Sequence, residues 1–233
     1  MSLDMNDSFK VVSDYISIPE NIYYVKNFID ANEERCLIDN VLSSPKPKWT
    51  VLSNRRLQNW GGLPHPKGMV RQQLPQWLEK YALKLSQMNA FGGNTANHVL
   101  INEYASGQGI MPHEDGPLFY PTVATINTGS HTLLDFYTKN SQTVEGDADP
   151  NPQRIPVFSI LLEPRSLVIS QRDAYESYLH GIREVKSDVI TDRIANLYLC
   201  DSHVIGEELE RSTRFSFTIR FVPKVVKNLL FLK

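Results

Sequence analysis

Residues 214–222 read RFSFTIRFV, and the alternation in them is strict. Arg214, Ser216, Thr218 and Arg220 fall on one face of an extended chain and Phe215, Phe217, Ile219 and Phe221 on the other, because successive side chains of a strand point to opposite sides. One face packs against apolar neighbours; the other is polar and carries two guanidinium groups. An edge strand with a solvated polar face satisfies that pattern. So does a small barrel whose polar face lines the lumen, although two arginines buried there are costly unless anions meet them. A dicarboxylate supplies both partners, since guanidinium forks match carboxylates bidentately.

Upstream, short runs of the same kind recur from about Asn97: HVLINEY (98–104), PTVATINT (121–128), HTLLDFY (131–137), VFSILL (157–162) and RSLVIS (165–170). They are β-branched or aromatic and are punctuated by Gly, Pro, Asn and Asp, so the expected fold is mainly β, a barrel or double-sheet jelly roll. Helices belong outside it. A strand is expected at IYYV (22–25), then a helix from about Asp30 to Ser44, with Asp30 as cap, Glu33 three residues on, and Leu37, Ile38, Val41 and Leu42 as its apolar face. A second helix follows Pro75, with Trp77, Leu78, Tyr81, Leu85 and Met88 at helical spacing. Residues 139–155, KNSQTVEGDADPNPQRI, read as a polar hairpin loop with no core of its own, and residues 184–212 fit no single element type.

The chain has 233 residues and a formal charge of −2, enough length for one elaborated domain and too little positive charge for a uniformly basic nucleic-acid binder. No run approaches a membrane span, and the N-terminus MSLDMNDSFK lacks the apolar core of a leader. The setting expected is cytoplasm and nucleus, and a monomer. Cys36 and Cys200, far apart in sequence, are expected to be reduced thiols, buried or inert.

The chemistry begins at GIMPHEDGPLFYP (109–121). If MPHED is extended, His113 and Asp115 at i and i+2 converge on one point, where a divalent metal is the natural occupant and a surface His–Asp pair the plain alternative. A third ligand is needed. His180 in YESYLHGI (175–182) is the candidate, at the end of an expected strand and followed by Gly181, which lets the backbone turn. Two His and one carboxylate leave three adjacent octahedral positions open, the facial triad of non-haem Fe(II) oxygenases.

Together NEYASGQGIMPHED (102–115), YLHGI (178–182) and RFSFTIR (214–220) resemble the AlkB family of Fe(II)/2-oxoglutarate dioxygenases: Asn-x-Tyr, His-x-Asp, a distal His, then Arg-x5-Arg, in that order over residues 97–222. The whole chain, with PKPKWTVLSNRRLQNWGGLPHPKGM (45–69), looks closest to the family's sixth homologue branch. The resemblance implies a double-stranded β-helix (cupin-like jelly roll) core over 97–222, N-terminal helices and a substrate lid over 1–96, and a tail over 223–233. It implies Fe(II) on His113, Asp115 and His180. It also implies 2-oxoglutarate on Asn102 and Tyr104, with Arg214 at its distal carboxylate and Arg220 near the carboxylate that chelates the metal, and O₂ as co-reactant. Oxidative demethylation or hydroxylation of an alkylated nucleic acid or other substrate follows as the expected activity. The repair members carry an acidic residue two positions after the metal-binding Asp, where this chain has Pro117, and the separation of His180 from Arg214 is longer than in the bacterial repair enzyme; both argue against alkyl-DNA repair.

Substrate choice is expected to rest on the N-terminal half. From Asn40 to Leu78 there is no acidic residue, but there are Lys46, Lys48, Arg55, Arg56, Lys67 and Arg71 and all three tryptophans. Such a stretch can follow a phosphate backbone and stack an unpaired base. Equally, Trp77 can belong to a helix core, Trp49 can pack a strand, and the cations can form a solvated face. Arg55, Arg56 and Trp60, presented by a flexible Gly61-Gly62 turn, are the substrate candidates, and His131 with Asp135 on the same strand face is expected to line the pocket. His65, His98 and His203 lack ligand spacing. Two further functions fit the same residues: a catalytically quiet nucleic-acid or protein binder, which would fail to turn over 2-oxoglutarate, and a protein or small-molecule hydroxylase, which a substrate screen separates.

Overall fold

The computed structural model describes residues 18–139, 155–201 and 203–227. The chain enters through β1 (Ile22–Val25) and α1 (Ala31–Leu42), passes through a hairpin of β2 (Thr50–Leu52) and β3 (Arg55–Trp60) and a short β4 (Met69–Val70), and reaches α2 (Gln76–Gln87). Then come β5 (His98–Tyr104), β6 (Ile110–His113), β7 (Thr122–Thr128), β8 (Thr132–Thr138), β9 (Phe158–Leu162) and β10 (Leu167–Gln171). A five-residue α3 (Arg172–Glu176) leads to β11 (Tyr178–Ile182), β12 (Ser187–Val189), β13 (Glu208–Glu210), β14 (Arg214–Arg220) and β15 (Val225–Val226). Most of the expected polar loop of 139–155 lies outside the described residues.

Two antiparallel sheets make the core. The larger runs β1-β10-β7-β14-β5-β3-β2 and the smaller β6-β11-β8-β9. Strand β14 sits in the middle of the larger sheet, paired along its whole length with β5 and over five residues with β7, so it is not an edge strand. All seven of its residues are buried. Phe215, Phe217 and Ile219 pack with Val99, Ile101, Ala124 and Ile126 against Leu37, Val41, Leu78, Tyr81 and Leu85 of the helices. Removing a side chain such as Phe217 from water is worth about 1.5–3 kcal/mol. The other face of the sheet looks toward the smaller sheet, across an apolar cluster that includes Phe136, Phe158, Ile160, Leu162 and Val168.

Helix α1 starts where expected. Asp30 accepts from the amides of Asn32 and Glu33, each at 2.8 Å, and the Glu33 carboxylate accepts from the Asp30 amide at 3.2 Å, a capping box that satisfies donors left free in the first turn. Leu42, expected on the apolar face, is instead 52 % exposed in the last turn, beyond the reach of the sheet. Cys36 is also exposed and Cys200 half-buried, and both are free thiols.

The N-terminal segment is part of the sheet. It supplies β1 at one edge and β2-β3 at the other, and Val225–Val226 returns to pair in parallel with Met69–Val70. The described residues of 184–212 form the β12-β13 hairpin and a 3-10 turn at Leu197–Leu199. Ile190 and Ile194 of this segment cover Leu133 and Leu161 on the outer face of the smaller sheet. It is anchored by Arg211, whose Nε and Nη2 each donate to the Asp188 carboxylate at 2.6 Å. Among the described residues no helix is long and apolar enough to cross a membrane.

Candidate active site

Between the two sheets lies a cavity of about 260 Å³. One end is formed by the strands that carry the histidines. His113 on β6 and His180 on β11 are directly opposed in the register, with ring centroids 4.5 Å apart. His180 lies in the middle of its strand and Gly181 does not turn the chain; a Cβ there would sit 3.0 Å from the Ile110 carbonyl oxygen, so glycine is what lets β6 approach. Asp115 lies two residues beyond the end of β6, in a loop held where the Tyr175 hydroxyl of α3 donates to the Gly116 carbonyl at 2.7 Å. Its carboxylate is 2 % exposed and stands 3.7 Å from His180 Nε2, with the Arg220 guanidinium against Oδ1.

The protonation states suit a metal. His113 Nδ1 lies 2.9 Å from the Met111 carbonyl, which can only accept, so Nδ1 is the nitrogen that holds a proton and Nε2 is the one left to face a metal. Burial pushes His180 down to about 4, which leaves it neutral at physiological pH. Burial raises the Asp115 pKa, but Arg220, then His180 and His113, overcome that and hold it below the usual carboxylate range. Oδ1 makes no hydrogen bond of normal geometry despite its burial. Among the described residues no three His, Cys, Asp or Glu groups are drawn tightly enough to count as a preformed metal cluster. What the backbone supplies is the convergence of these three, and two lone-pair nitrogens with an ionised carboxylate are the donor set that Fe(II) takes.

The floor of the cavity is the polar face of β14 and its neighbours. Arg214, Ser216, Thr218 and Arg220 line it together with Asn102 and Tyr104 of β5. Arg214 stands opposite Tyr104 in the register, its guanidinium carbon 5.5 Å from the ring centre, and Nη2 donates to Asn127 Oδ1 at 2.6 Å. Its Nε and Nη1 are buried without hydrogen-bond partners, as is Arg220 Nε. Burial lowers the Arg214 pKa to about 10, so it remains a cation at neutral pH. A buried cation with unmatched donors is stable only when an anion meets it, and the carboxylates of 2-oxoglutarate have the charge and shape to do so.

Other candidates face elsewhere. Strand β3 pairs with β5 so that Arg55 shares the pocket face with Asn102, whereas Arg56 and Trp60 lie on the helix side. Arg56 bonds the Glu103 carboxylate and covers the Trp49 ring at 4.1 Å. The Trp60 indole donates to Gln58 at 2.9 Å, meets Trp77 edge-on at 5.5 Å and carries Lys48 over its face, so it offers no surface to a base in the cavity. Gly61-Gly62 is no flexible presenter either, since a Cβ on Gly61 would lie 2.0 Å from the Asn97 carbonyl oxygen. Of the acid-free stretch only Arg55 lines the cavity, which corrects the expectation of a lid over the metal end. Asp135 and His131 also miss it. Leu134 and Phe136 take the inward positions of β8, while Asp135 accepts from Ser159 at 2.5 Å and Arg183 at 2.8 Å, and His131 lies 3.4 Å from Asp188. Asn127, absent from the candidates that sequence pattern picks out, proves to be the partner that holds Arg214; its signal was a lone amide inside an otherwise apolar and hydroxyl strand, TVATINT.

Residues 21–220 match the 2OG-Fe(II) oxygenase superfamily. The chain is 53 % identical to "Probable RNA/DNA demethylase ALKBH6" of Danio rerio over 214 residues, which cover 92 % of this chain and 91 % of that protein. It is 27 % identical to the tRNA (carboxymethyluridine(34)-5-O)-methyltransferase alkbh8 of Xenopus tropicalis, where the match covers 88 % of this chain and only 32 % of the relative. The solved structure of OsALKBH1 superposes with a TM-score of 0.56 at 14 % identity, covering 88 % of this chain and 98 % of that one, which speaks for the fold. Jelly-roll sheets, the convergent His, Asp and His, the paired arginines and these likenesses agree: the chain belongs to the 2OG-Fe(II) oxygenase superfamily, as an AlkB-type dioxygenase that uses Fe(II), 2-oxoglutarate and O₂.

Proposed function

We propose that this enzyme oxidatively dealkylates an alkylated nucleic acid, with Fe(II) on His113, Asp115 and His180 and 2-oxoglutarate lying between Arg214 and Arg220. The observation that carries the reading is the pair of buried arginines with unmatched nitrogens along a cavity whose one end is lined by His113, Asp115 and His180. When bound, iron with 2-oxoglutarate and O₂ supplies oxidation of a substrate C–H bond, with succinate and CO₂ as co-products. A hydroxylated N-methyl group then collapses to formaldehyde and the free base.

The chain's own residues prepare that chemistry. Arg220 keeps Asp115 ionised, and Met111 fixes the tautomer of His113. Arg214 orients the cosubstrate by its far carboxylate, with Asn127 fixing the guanidinium. Leu100, Leu134, Phe136 and Val168 exclude water from the space between. At about 260 Å³ the cavity is near the lower end for a small-molecule site, so a polymer reaches it through one inserted group, as a flipped or unpaired base does. The stretch Asn40–Leu78, with six cations and no acid, borders the pocket through Arg55 and is the surface to which we assign the phosphate backbone. Glu103 matches Arg56, but the cation–π contact at Lys48 does not neutralise its charge, so the field of the stretch stays positive.

The test supplies the iron-loaded protein and 2-oxoglutarate with single-stranded RNA and DNA carrying alkylated bases, and follows formaldehyde, succinate and the modified nucleosides by mass spectrometry. Stoichiometric loss of an alkyl group with succinate supports the reading. Succinate formed with no change in any nucleic acid, alongside hydroxylation of a protein or small molecule, overturns the substrate class.

A further inference from the structure

We infer that Arg55 is a third arginine of the cosubstrate pocket, a binding residue for the distal carboxylate of 2-oxoglutarate rather than for the substrate's phosphates. The inference rests on the proposed placement of 2-oxoglutarate and deepens it.

Strand register brings Arg55 to this place. Arg214 is paired with Tyr104, and the β3-β5 register that sets Arg56 against Glu103 and Leu57 against Asn102 carries Arg55 to the level of Tyr104 on the next strand. Three adjacent strands therefore place Arg214, Tyr104 and Arg55 on one rung, with all three side chains lining the cavity. Arg220 stands six residues away along β14, beside Asp115. The cavity is thus doubly cationic at the end remote from the metal ligands, which is where the cosubstrate's second carboxylate falls if its 2-oxo acid end meets the metal.

Arg55 is held there. Its Nε donates to Asn102 Oδ1 at 3.1 Å, which leaves the Asn102 amide NH₂ as a donor for the cavity. Among the described residues it pairs with no carboxylate, in contrast to its neighbour Arg56, which is matched by Glu103. Strand β3 is fixed to β5 by five register pairs, and Asn54 at the hairpin turn bonds Glu184 in the loop after β11. The guanidinium is therefore preorganised on a sheet. A cation placed so, beside a second one, favours an anion at that end, and the distal carboxylate, with two oxygens, can accept from both guanidinium groups.

Direct binding tests this, with Mn(II) in place of iron and no turnover. The probes are 2-oxoglutarate and 2-oxopentanoate, which has the same carbon chain and the same chelating end but no distal carboxylate, titrated calorimetrically into wild type, Arg55→Ala, Arg55→Lys and Arg214→Ala. Removal of a charge-assisted hydrogen bond should weaken 2-oxoglutarate binding to Arg55→Ala by at least about tenfold and leave 2-oxopentanoate unchanged, with Arg55→Lys in between. Equal affinity of wild type and Arg55→Ala for 2-oxoglutarate overturns the inference, whether or not RNA binding falls. If Arg214→Ala also leaves 2-oxoglutarate binding intact, the proposed cosubstrate site itself is wrong; if only Arg214→Ala weakens it, that site stands and Arg55 has no part in it. Unfolding midpoints of the variants, measured alongside, exclude a loss of fold as the cause.

Discussion

Arg220 reaches from the centre of the larger sheet to the carboxylate of Asp115, so a candidate cosubstrate arginine and a candidate metal ligand share one ion pair. The guanidinium also lies 4.5 Å from the Phe119 ring, which shields the pair from water on that side. Without Arg220 the strongest influence opposing burial at Asp115 is lost, which leaves only the neighbouring histidines against it, so its pKa rises. Arg220→Met is therefore expected to weaken divalent-metal binding as well as 2-oxoglutarate binding. Breaking a buried pair by removing one partner costs about 3–5 kcal/mol, so the loss should be large. A Co(II) titration in the absence of 2-oxoglutarate that gives the wild-type affinity would show that the two sites are independent.

Acid should destabilise the metal-free protein before its carboxylates titrate. Burial lowers His98 to about 3 and His180 to about 4, whereas in the unfolded chain both take a proton near 6.5. As pH falls below about 6.5 the unfolded state binds protons that the folded state refuses, so stability present above that pH is lost progressively toward pH 4. Asp115, held low in the fold, adds its own loss only as pH drops below its unfolded value of 3.8. Two such histidines give a slope of up to about 2.7 kcal/mol per pH unit. Urea unfolding at pH 7, 6 and 5 measures it, and His98→Gln should flatten the curve.

Much of this site could be read in the chain because strand period is local. The alternation of RFSFTIRFV put Arg214 and Arg220 on one face, and His113 and Asp115 needed only an extended backbone to share a direction. What alternation leaves open is which face looks inward. For β3 that is decided by its pairing with β5, and the register turned Arg55 into the cavity and Trp60 toward Trp77. For β8 the outer face is covered by residues 184–212, so the charged position Asp135 is buried there while Leu134 and Phe136 line the pocket. That cover was illegible since its anchor is a polar contact between Asp188 and Arg211, 23 residues apart, with no periodic apolar pattern to announce it.

The cover's anchor makes a prediction of its own. Asp188 is buried and accepts two bonds from Arg211, whose Nη1 donates in turn to the Arg183 carbonyl. Asp188→Ala leaves the Arg211 charge buried and unmatched, at a cost of about 3–5 kcal/mol. Hydrogen exchange should then speed up in residues 184–212 while β14 and β5 stay protected. Uniform loss of protection would mean that the hairpin is integral to the sheets.

Gly61 separates a packed turn from a flexible one. Its φ is +88°, and an added Cβ would press on the backbone of Asn97, whose side chain in turn bonds the amide and carbonyl of Val222. Gly61→Ala should cost more than about 1 kcal/mol, beyond what the gain in chain stiffness returns. An unchanged or raised melting temperature would restore the picture of a mobile Gly-Gly hinge.

The proposed phosphate-binding surface is testable through cations that the fold does not consume. Lys46 and Arg71 are exposed and lie in the acid-free stretch, whereas Arg55 is turned into the cavity and Arg56 is matched by Glu103. Reversing the exposed pair, Lys46→Glu with Arg71→Glu, lowers the formal charge of the stretch from +6 to +2 without touching any of the apolar clusters, so the melting temperature should hold within a few degrees. Binding of single-stranded RNA should weaken, because every phosphate that the protein no longer neutralises keeps its counterion. The slope of log affinity against log salt should flatten by about 0.7 for each such phosphate on a single strand. Fluorescence anisotropy with a labelled oligonucleotide between roughly 50 and 200 mM salt, the range over which phosphate-held complexes weaken most, reads both effects. A wild-type affinity that ignores salt, or a reversed variant that binds RNA as tightly as the wild type, would remove this face as the seat of the polymer.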